Sequence, residues 1–199
     1  QRQMCIRDSN ITNYVTVNDV ANVLLAAGGS PIMSDDADDV EDITSICGGL
    51  NINIGTLNKN TIPSMFLAGK KANELGHIVL LDPVGAGASR LRTDTANRLM
   101  QEVRFDAVRG NISEIKTLCT GSGSTKGVDA DAVDAVTEAN LDDGVQLVKT
   151  FAQRAGCIVA VTGAIDLVSD GERCWCIRNG RAEMLSLIHI SEPTRLDVI

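Results

Sequence analysis

Short apolar runs rich in β-branched residues alternate along this chain with stretches that have helical periodicity. Strand patterns cover 50–55, 78–81, 105–111 and 157–163, and helical patterns cover 17–27, 61–75, 93–103, a short segment from 113, and 142–155. Alternation of this kind is typical of a parallel sheet wrapped by helices. The pattern therefore predicts an α/β fold.

Capping and stop residues give the expected helix ends. Thr16 followed by Asp19 predicts a side-chain cap at the start of the first helix. Gly76 and Gly156 directly follow two of the helical patterns, where a glycine that accepts a positive φ commonly ends a helix.

The last part of the chain follows a different pattern. The segment "DLVSDGERCWCIRNGRAEML" contains two turn signals, Asp170-Gly171 and Asn179-Gly180. Dipeptides of this type between apolar runs are typical of hairpins. We therefore expect a short antiparallel meander attached to the edge of the parallel sheet.

Composition narrows the classes of function. The 199 residues are 44% hydrophobic, which is enough for one compact domain. The net charge of -8 argues against nucleic acid or an anionic membrane as partner, since both bind a basic face. No apolar run approaches the ~20 residues that span a bilayer, and no signal-peptide pattern is present. Because the six cysteines are dispersed in apolar stretches, we interpret them as reduced thiols and expect a cytoplasmic protein.

Polar residues collect where the predicted strands end. In an open parallel sheet, ligands bind outside the carboxyl ends of the strands. The residues at these exits are Asn13, Asp82, Arg109 with Asn111 and Glu114, and Thr162 with Gly163. We expect them to face one crevice.

The segment "VRGNISEI" offers the groups that phosphate transfer needs. Arg109 is a cation for developing negative charge, Gly110 leaves the backbone open to a phosphate, and Glu114 is a carboxylate that can hold magnesium. The same spacing also fits a capping box, with Asn111 as N-cap and Glu114 three residues later. The residues alone leave both interpretations open.

Three further residues are candidates with ordinary alternatives. Asp82, directly after a buried strand and before the glycine-rich "PVGAGA", is a second oxygen ligand or an Asp-Pro turn. Thr162 offers a hydroxyl to a nucleotide phosphate or ribose, although the tripeptide around it is uninformative by itself. Met33 fits a core position, or packing of its sulfur on an aromatic heterocycle.

Taken in order, several segments resemble the hydroxyethylthiazole kinase family of ribokinase-like enzymes. They are "ITNYVTVNDVANVLLAAGGSPIM", "INIGTLN", "AGKKANELGHIVLLDPVGAGAS", "RTDTANRL", "VRGNISEI", "KGVDA" and "VTGAIDLVSDG". The resemblance implies a three-layer sandwich with a mainly parallel central sheet and a short antiparallel edge. It also implies transfer of the ATP γ-phosphate to the hydroxyl of 4-methyl-5-(2-hydroxyethyl)thiazole in thiamine salvage, with magnesium, in a homotrimer with active sites between subunits.

The same resemblance implies roles for individual residues. Asn13 and Met33 correspond to thiazole-binding positions. Arg109 and Thr162 correspond to ATP contacts. Asp82 and Glu114 correspond to the carboxylates that hold magnesium and face the phosphates. Catalytic residues stay unknown, because the family's Gly-Thr-Gly-Cys-like turn is not found in this sequence.

Both ends of the sequence depart from the family pattern. We expect the domain to cover residues 10–185, with 1–9 and 186–199 as non-native segments that resemble translated sequencing-adapter read-through. The string "LSLIHISEPTR" stands where the turn that forms the anion hole should begin. Since losing one such donor typically costs ~10²-fold or more, we expect this polypeptide to be inactive or nearly so.

Other functions stay open from the sequence. A ribokinase-like kinase acting on hydroxymethylpyrimidine or a sugar is the nearest alternative, and a non-catalytic nucleotide-binding scaffold is another. A dehydrogenase fits less well, because "GAGAS" follows Asp82 and Pro83 and does not form the Gly-x-Gly-x-x-Gly fingerprint between a strand and a helix.

Overall fold

The computed structural model describes residues 7–121 and 135–178, and within these ranges the strands form one eight-stranded sheet. Six strands are parallel: β1 (Arg7–Ile11), β2 (Ser30–Met33), β3 (Gly49–Asn53), β4 (Ile78–Asp82), β5 (Ala107–Asn111) and β6 (Ile158–Thr162). Two antiparallel strands, β7 (Asp166–Ser169) and β8 (Cys174–Ile177), extend one edge. The order across the sheet is β2-β1-β3-β4-β5-β6-β7-β8.

Six α-helices connect or flank these strands in the described ranges. They are α1 (Val17–Ala26), α2 (Val40–Ile46), α3 (Thr61–Leu75), α4 (Arg90–Glu102), α5 (Ile112–Thr120) and α6 (Leu141–Ala155), the last preceded by a single 3₁₀ turn, Glu138–Asn140. Helix α3 has the predicted bounds, and the predicted end of α6 is confirmed. Gly76 and Gly156 follow them with φ of 69° and 66°.

The helices lie on both faces of the sheet, which gives three layers. The chain moves from β1 outward to β2 and then returns past β1 to β3. Because parallel crossovers are right-handed, this reversal places α1 and α2 on opposite faces. Helix α1 lines a groove over Asn10, Asn51 and Leu80 of one face.

The core lies between the other face and helices α2 to α6. Side chains alternate along each strand, so Ile52, Leu81 and Val108 point into this layer and are fully buried. On the face that carries α1, Ile78 is 66% and Ile158 49% exposed. The predicted α/β fold with a mainly parallel sheet and an antiparallel edge is therefore confirmed. No helix in the described ranges is long and apolar enough to cross a membrane.

The start of α4 and the cap of α1 differ from the prediction, whereas α5 and α6 each begin one residue earlier than predicted. Helix α4 begins at Arg90 and not at 93, because the Ser89 side chain accepts a hydrogen bond from the Arg92 amide and starts the helix earlier. The Thr16 side chain, predicted to cap α1, makes no capping bond. Its hydroxyl and amide instead donate to Asn13 Oδ1, at 3.1 and 3.0 Å.

The first strand and the last hairpin of the described sheet can be compared with the predicted domain start and the predicted turns. Strand β1 begins at Arg7, three residues before the predicted domain start, and its first four residues pair with β2. The Asp170-Gly171 turn joins β7 to β8, as predicted. The second turn signal, Asn179-Gly180, lies outside the described residues.

Candidate active site

The candidate site lies at the carboxyl edge of the parallel strands. Strand connections leave β1 toward β2 and leave β3 toward β4, so the order reverses between β1 and β3. Ligands of open α/β sheets bind beside such a reversal. The loops that follow β1, β3, β4 and β5 meet there through side-chain hydrogen bonds.

Asp82 ends β4 and lies at the centre of this edge. Its Oδ2 accepts hydrogen bonds from Asn53 Nδ2 at 2.8 Å and from Arg109 Nη1 at 3.2 Å. Its Oδ1 is buried and has no hydrogen-bond partner among the described residues. Burial raises the pKa of Asp82, and the neighbouring guanidinium of Arg109 partly offsets that rise. One oxygen of this carboxylate is therefore held in place and the other is left for a ligand.

Glu114 lies one turn into α5 and is only 6% exposed. Its Oε2 accepts from the Asn111 amide and its Oε1 from the Gly85 amide, both at 2.8 Å. The Glu114 amide in turn donates to Asn111 Oδ1 at 2.9 Å, which completes the capping box. Burial raises the pKa of Glu114, the two amides lower it, and the nearby Asp82 raises it further. Glu114 thus caps the helix and also lies beside Asp82.

Gly110 leaves room for the protein's own carboxylate. A Cβ at this position would lie 3.0 Å from Glu114 Oε2 and 3.5 Å from Pro83 Cγ. The sequence suggested that this glycine lets the backbone approach a phosphate. In the structure the space beside it is filled by Glu114, so the glycine is needed to place that side chain.

Asn13 reaches this network through Asn53, a residue that the sequence analysis missed. Asn13 Nδ2 donates to Asn53 Oδ1 at 3.2 Å, and the Gly55 amide donates to the same oxygen at 2.8 Å. Asn13 Oδ1 accepts three bonds from Val15 and Thr16, the two residues that precede α1. The signal for Asn53 was an asparagine at each alternate position of "LNINIG", since polar residues are unusual in a parallel strand.

Arg92 was also missed. Its Nη1 donates to the Val84 carbonyl at 2.9 Å and its Nη2 to the Gly55 carbonyl at 2.8 Å. The guanidinium therefore joins the loop after β3 to the loop after β4. Nothing in the sequence distinguishes this arginine from Arg90 and Arg98 on the same helix.

Met33 and Thr162 lie at opposite flanks of the row of strand ends. Met33 ends β2, whereas Thr162 ends β6 and pairs in register with Asn111. Five inter-strand steps separate β2 from β6, which corresponds to about 24 Å. The structure thus brings Asn13, Asp82, Arg109 and Glu114 together, places Thr162 one strand from Arg109, and leaves Met33 apart.

The amide of Gly163, the residue after β6 that was expected to face the crevice, has an internal partner. It donates to Asp166 Oδ1 at 2.9 Å, which closes the turn between β6 and β7. Only the Thr162 side chain of this pair is left as a candidate contact.

The donors at this edge fit a magnesium ion bound mainly through a nucleotide. No group of three or more His, Cys, Asp or Glu side chains suited to a metal occurs within residues 7–121 and 135–178. Mg²⁺ is commonly held by one or two carboxylates together with substrate phosphates and waters. Asp82 fits a direct ligand better than Glu114 does, because both Glu114 oxygens already accept amide hydrogens.

Sequence comparison identifies relatives over most of the chain. The model of the hydroxyethylthiazole kinase family matches residues 8–191. A protein of Clostridium acetobutylicum named hydroxyethylthiazole kinase is 59% identical over 175 residues, which cover 88% of this chain and 64% of that protein. A protein of the same name from Ruminiclostridium cellulolyticum is 54% identical over 177 residues and is covered to 63%. The chain thus spans a little under two thirds of the length of these relatives.

Solved structures show the same fold. The hydroxyethylthiazole kinase protein of Pyrococcus horikoshii OT3 matches with a TM-score of 0.79 and 36% identity, covering 92% of this chain and 65% of that one. The pyridoxal kinase of Staphylococcus aureus matches with a TM-score of 0.58 but only 12% identity. The second likeness supports the fold alone.

Proposed function

The chain belongs to the hydroxyethylthiazole kinase family, and on that basis we propose that the whole protein transfers the γ-phosphate of ATP to the hydroxyl of 4-methyl-5-(2-hydroxyethyl)thiazole. This reaction would salvage thiazole for thiamine. The observation that carries the proposal is Asp82, whose Oδ1 is buried and unpartnered among the described residues while Oδ2 is fixed by Arg109 and Asn53.

The proposed roles follow from what each side chain contacts. Arg109 is half exposed beside Asp82 and offers a cation to the ATP phosphates. Thr162, one strand away, contacts the nucleotide with its hydroxyl. Preorganised charges of this kind stabilise the charge that develops on a transferred phosphoryl group.

Magnesium is proposed at the two carboxylates. Bound there with ATP, the ion would neutralise charge on the phosphates. Asp82 Oδ1 would be the direct ligand. Glu114, held by two backbone amides, would add a second negative charge without leaving its position in the capping box.

The thiazole is proposed to bind near Asn13 and Met33. A triphosphate that reaches from Thr162 to Asp82 crosses two of the five inter-strand steps, and Met33 lies three steps further. Because Met33 lies so far from Asp82, we propose that a neighbouring subunit completes the thiazole site. This arrangement agrees with the homotrimer that the family resemblance implies. Asn13, whose Oδ1 already accepts hydrogen bonds from Val15 and Thr16, would shape the site more than bind substrate.

The proposed location is the cytoplasm, where ATP is available as co-substrate. The proposed kinase domain, residues 10–185, lies inside the range matched by the family model. Partners are the small thiazole alcohol and ATP, and neither nucleic acid nor a membrane is proposed.

A phosphorylation assay on two proteins tests the function. The first is the chain itself, and the second is a chimera in which residues 1–178 are followed by the corresponding C-terminal part of the C. acetobutylicum relative. We expect the chimera to phosphorylate the thiazole alcohol in the presence of Mg²⁺ and ATP, and the chain alone to show little or no turnover. Equal turnover by both would contradict the expectation about the chain.

A substrate panel separates the alternatives. Hydroxymethylpyrimidine and simple sugars replace the thiazole in the same assay, with product identified by mass spectrometry. Preference for one of these would favour a different ribokinase-like kinase. Calorimetric binding of ATP without any thiazole binding, and no transfer to any alcohol, would favour a nucleotide-binding scaffold.

A further inference from the structure

We propose that Arg92 is a positioning residue that holds both carboxylates of the site in place by joining the loops after β3 and β4. The inference rests on the proposed function for its consequences in nucleotide binding. The contacts that carry it are independent of that function. Arg92 is a half-buried residue of α4, and its guanidinium donates to the Val84 and Gly55 carbonyls, so it acts on Asp82 and Glu114 through other groups.

The first route runs from Arg92 to Asp82. Arg92 Nη2 donates to the Gly55 carbonyl at 2.8 Å, which fixes the residue that follows β3 by two positions. The Gly55 amide donates to Asn53 Oδ1 at 2.8 Å, and Asn53 Nδ2 donates to Asp82 Oδ2 at 2.8 Å. Asn53 is thereby oriented with its amide toward the carboxylate, and Asp82 keeps Oδ1 for a ligand.

The second route runs from Arg92 to Glu114. Arg92 Nη1 donates to the Val84 carbonyl at 2.9 Å. That carbonyl and the Gly85 N–H belong to the same peptide unit, which is planar, so fixing the carbonyl also fixes the direction of the N–H. The Gly85 N–H donates to Glu114 Oε1 at 2.8 Å.

Close packing at Gly85 supports this assignment. Gly85 has a φ of +73°, and a Cβ there would lie 2.6 Å from Arg92 Nη1. The guanidinium therefore lies directly against the backbone of the loop. A side chain at Gly85 would be excluded both by the backbone conformation and by Arg92.

Two carbonyls from different loops require the forked donor of arginine. The guanidinium is planar and presents its two terminal nitrogens in a fixed geometry, whereas a lysine ammonium is a single point on a flexible stem. The other arginines early and late in α4 have a different role: Arg90 pairs with Asp94 and Arg98 with Glu102, both on the surface. Arg90, with a side chain 92% exposed, is the matched control.

The test compares Arg92→Lys and Arg92→Ala with Arg90→Lys and Arg90→Ala in the full chain. Binding of the preformed Mn²⁺-ATP complex to the protein is measured by equilibrium dialysis. We expect both Arg92 variants to bind Mn²⁺ with ATP roughly 10- to 100-fold more weakly, as for loss of a group that orients a metal ligand. The Arg90 variants should stay within about twofold of the parent chain.

Two additional measurements separate positioning from general loss of structure. Added guanidinium ion should restore binding to Arg92→Ala but not to Arg92→Lys, since the lysine occupies the space without the fork. Hydrogen exchange of the Gly85 amide, followed by NMR, should accelerate in both Arg92 variants while amides in α6 keep their protection.

Each outcome decides the inference. Parental Mn²⁺ binding by Arg92→Lys would overturn it and leave the proposed function standing. If the parent chain binds no Mn²⁺ with ATP, the proposed metal site fails, and Gly85 exchange still decides the role of Arg92. Unchanged protection of Gly85 in Arg92→Ala would then overturn the inference as well.

Discussion

Glu114 and Glu102 are two glutamates that each accept hydrogen bonds from two partners, yet they differ in almost every physical respect. Glu102 ends α4 on the surface and accepts from Lys70 at 2.7 Å and Arg98 at 3.1 Å. Glu114 is buried and accepts from two backbone amides. The pKa of Glu102 is lowered, first by its bond with Lys70, whereas burial raises the pKa of Glu114.

The difference shows what sets a functional carboxylate apart from a surface ion pair. Flexible charged side chains that hold a carboxylate in water gain little, because solvent screens the attraction. Fixed amide donors around a buried carboxylate keep it oriented while leaving its charge poorly compensated. A bound cation with its phosphates would supply the missing charge.

The largest expected effect is the loss of Asp82. We expect Asp82→Asn to weaken binding of Mn²⁺ with ATP by at least about 100-fold, more than the loss of a neighbouring group costs, because the amide removes the anionic oxygen that has no partner in the described part of the chain. Equilibrium dialysis of each variant against the preformed Mn²⁺-ATP complex measures it. The control is Asp94→Asn, which removes the surface partner of Arg90. Equal affinity of Asp82→Asn and the parent would place the metal elsewhere.

A smaller effect is expected from filling the space beside Glu114. Gly110→Ala puts a Cβ 3.0 Å from Glu114 Oε2, so the Glu114 side chain must shift by a few tenths of an ångström. We expect a loss of about 1–3 kcal/mol in the free energy of unfolding, measured by urea denaturation. The control is Gly163→Ala, where the nearest atom would lie at 3.7 Å. If both variants lose the same stability, Glu114 is not the group that requires the glycine.

Glu114 and Glu102 should contribute to the pH dependence of stability with opposite signs. Since burial raises the folded-state pKa of Glu114, the folded chain binds more protons than the unfolded chain, and Glu114 makes the fold less stable as pH rises above its ordinary pKa of about 4.3. The lowered pKa of Glu102 acts the other way and its contribution is lost on acidification.

Glu114→Gln therefore tests the sign directly. Subtracting its unfolding free energy from that of the parent at each pH from about 4 to 8 should give a difference that declines with rising pH. Asp82, whose pKa is also raised, and Arg109 face the same group, so the comparison is repeated in the Asp82→Asn background. A difference that rises with pH would contradict a buried, uncompensated carboxylate.

The sequence predicted the helices and strands well, but it did not predict the hydrogen bonds that join the loops of the site. Helix α3 and the glycines after α3 and α6 follow from periodicity and from backbone freedom at φ above zero, which are local properties. The capping box of Asn111 and Glu114 is local too. By contrast, Arg92 donates to backbone carbonyls 8 and 37 residues away. Every residue has a backbone carbonyl, so the residue types of the two partners do not indicate these bonds.

The sequence also did not show how far apart the strand-end residues lie across the sheet. Met33 and Thr162 both end parallel strands, and the sequence analysis assigned Thr162, but not Met33, to the crevice at the strand ends. Only the strand order shows that β2 and β6 are five steps apart while β4 and β5 are neighbours. Thr16 was likewise misassigned, because its hydroxyl donates to Asn13 Oδ1, three residues earlier, and makes no capping bond to the first turn of α1.

The smallest expected effect is at the surface. Glu102→Gln removes the carboxylate shared by Lys70 and Arg98, whose side chains are 51% and 59% exposed. Loss of such exposed ion pairs should lower the melting temperature by less than about 3 °C. Added salt should reduce this difference further, because salt already screens the same ion pairs in the parent chain. Calorimetry at low and high salt measures it. Arg98 also lies 4.7 Å from the centre of the Phe66 ring, so it keeps a contact when Glu102 is lost. If Glu102→Gln lost as much stability as Gly110→Ala and kept that loss at high salt, the surface ion pairs would be as firmly held as the buried site. The contrast between the two glutamates would then be removed.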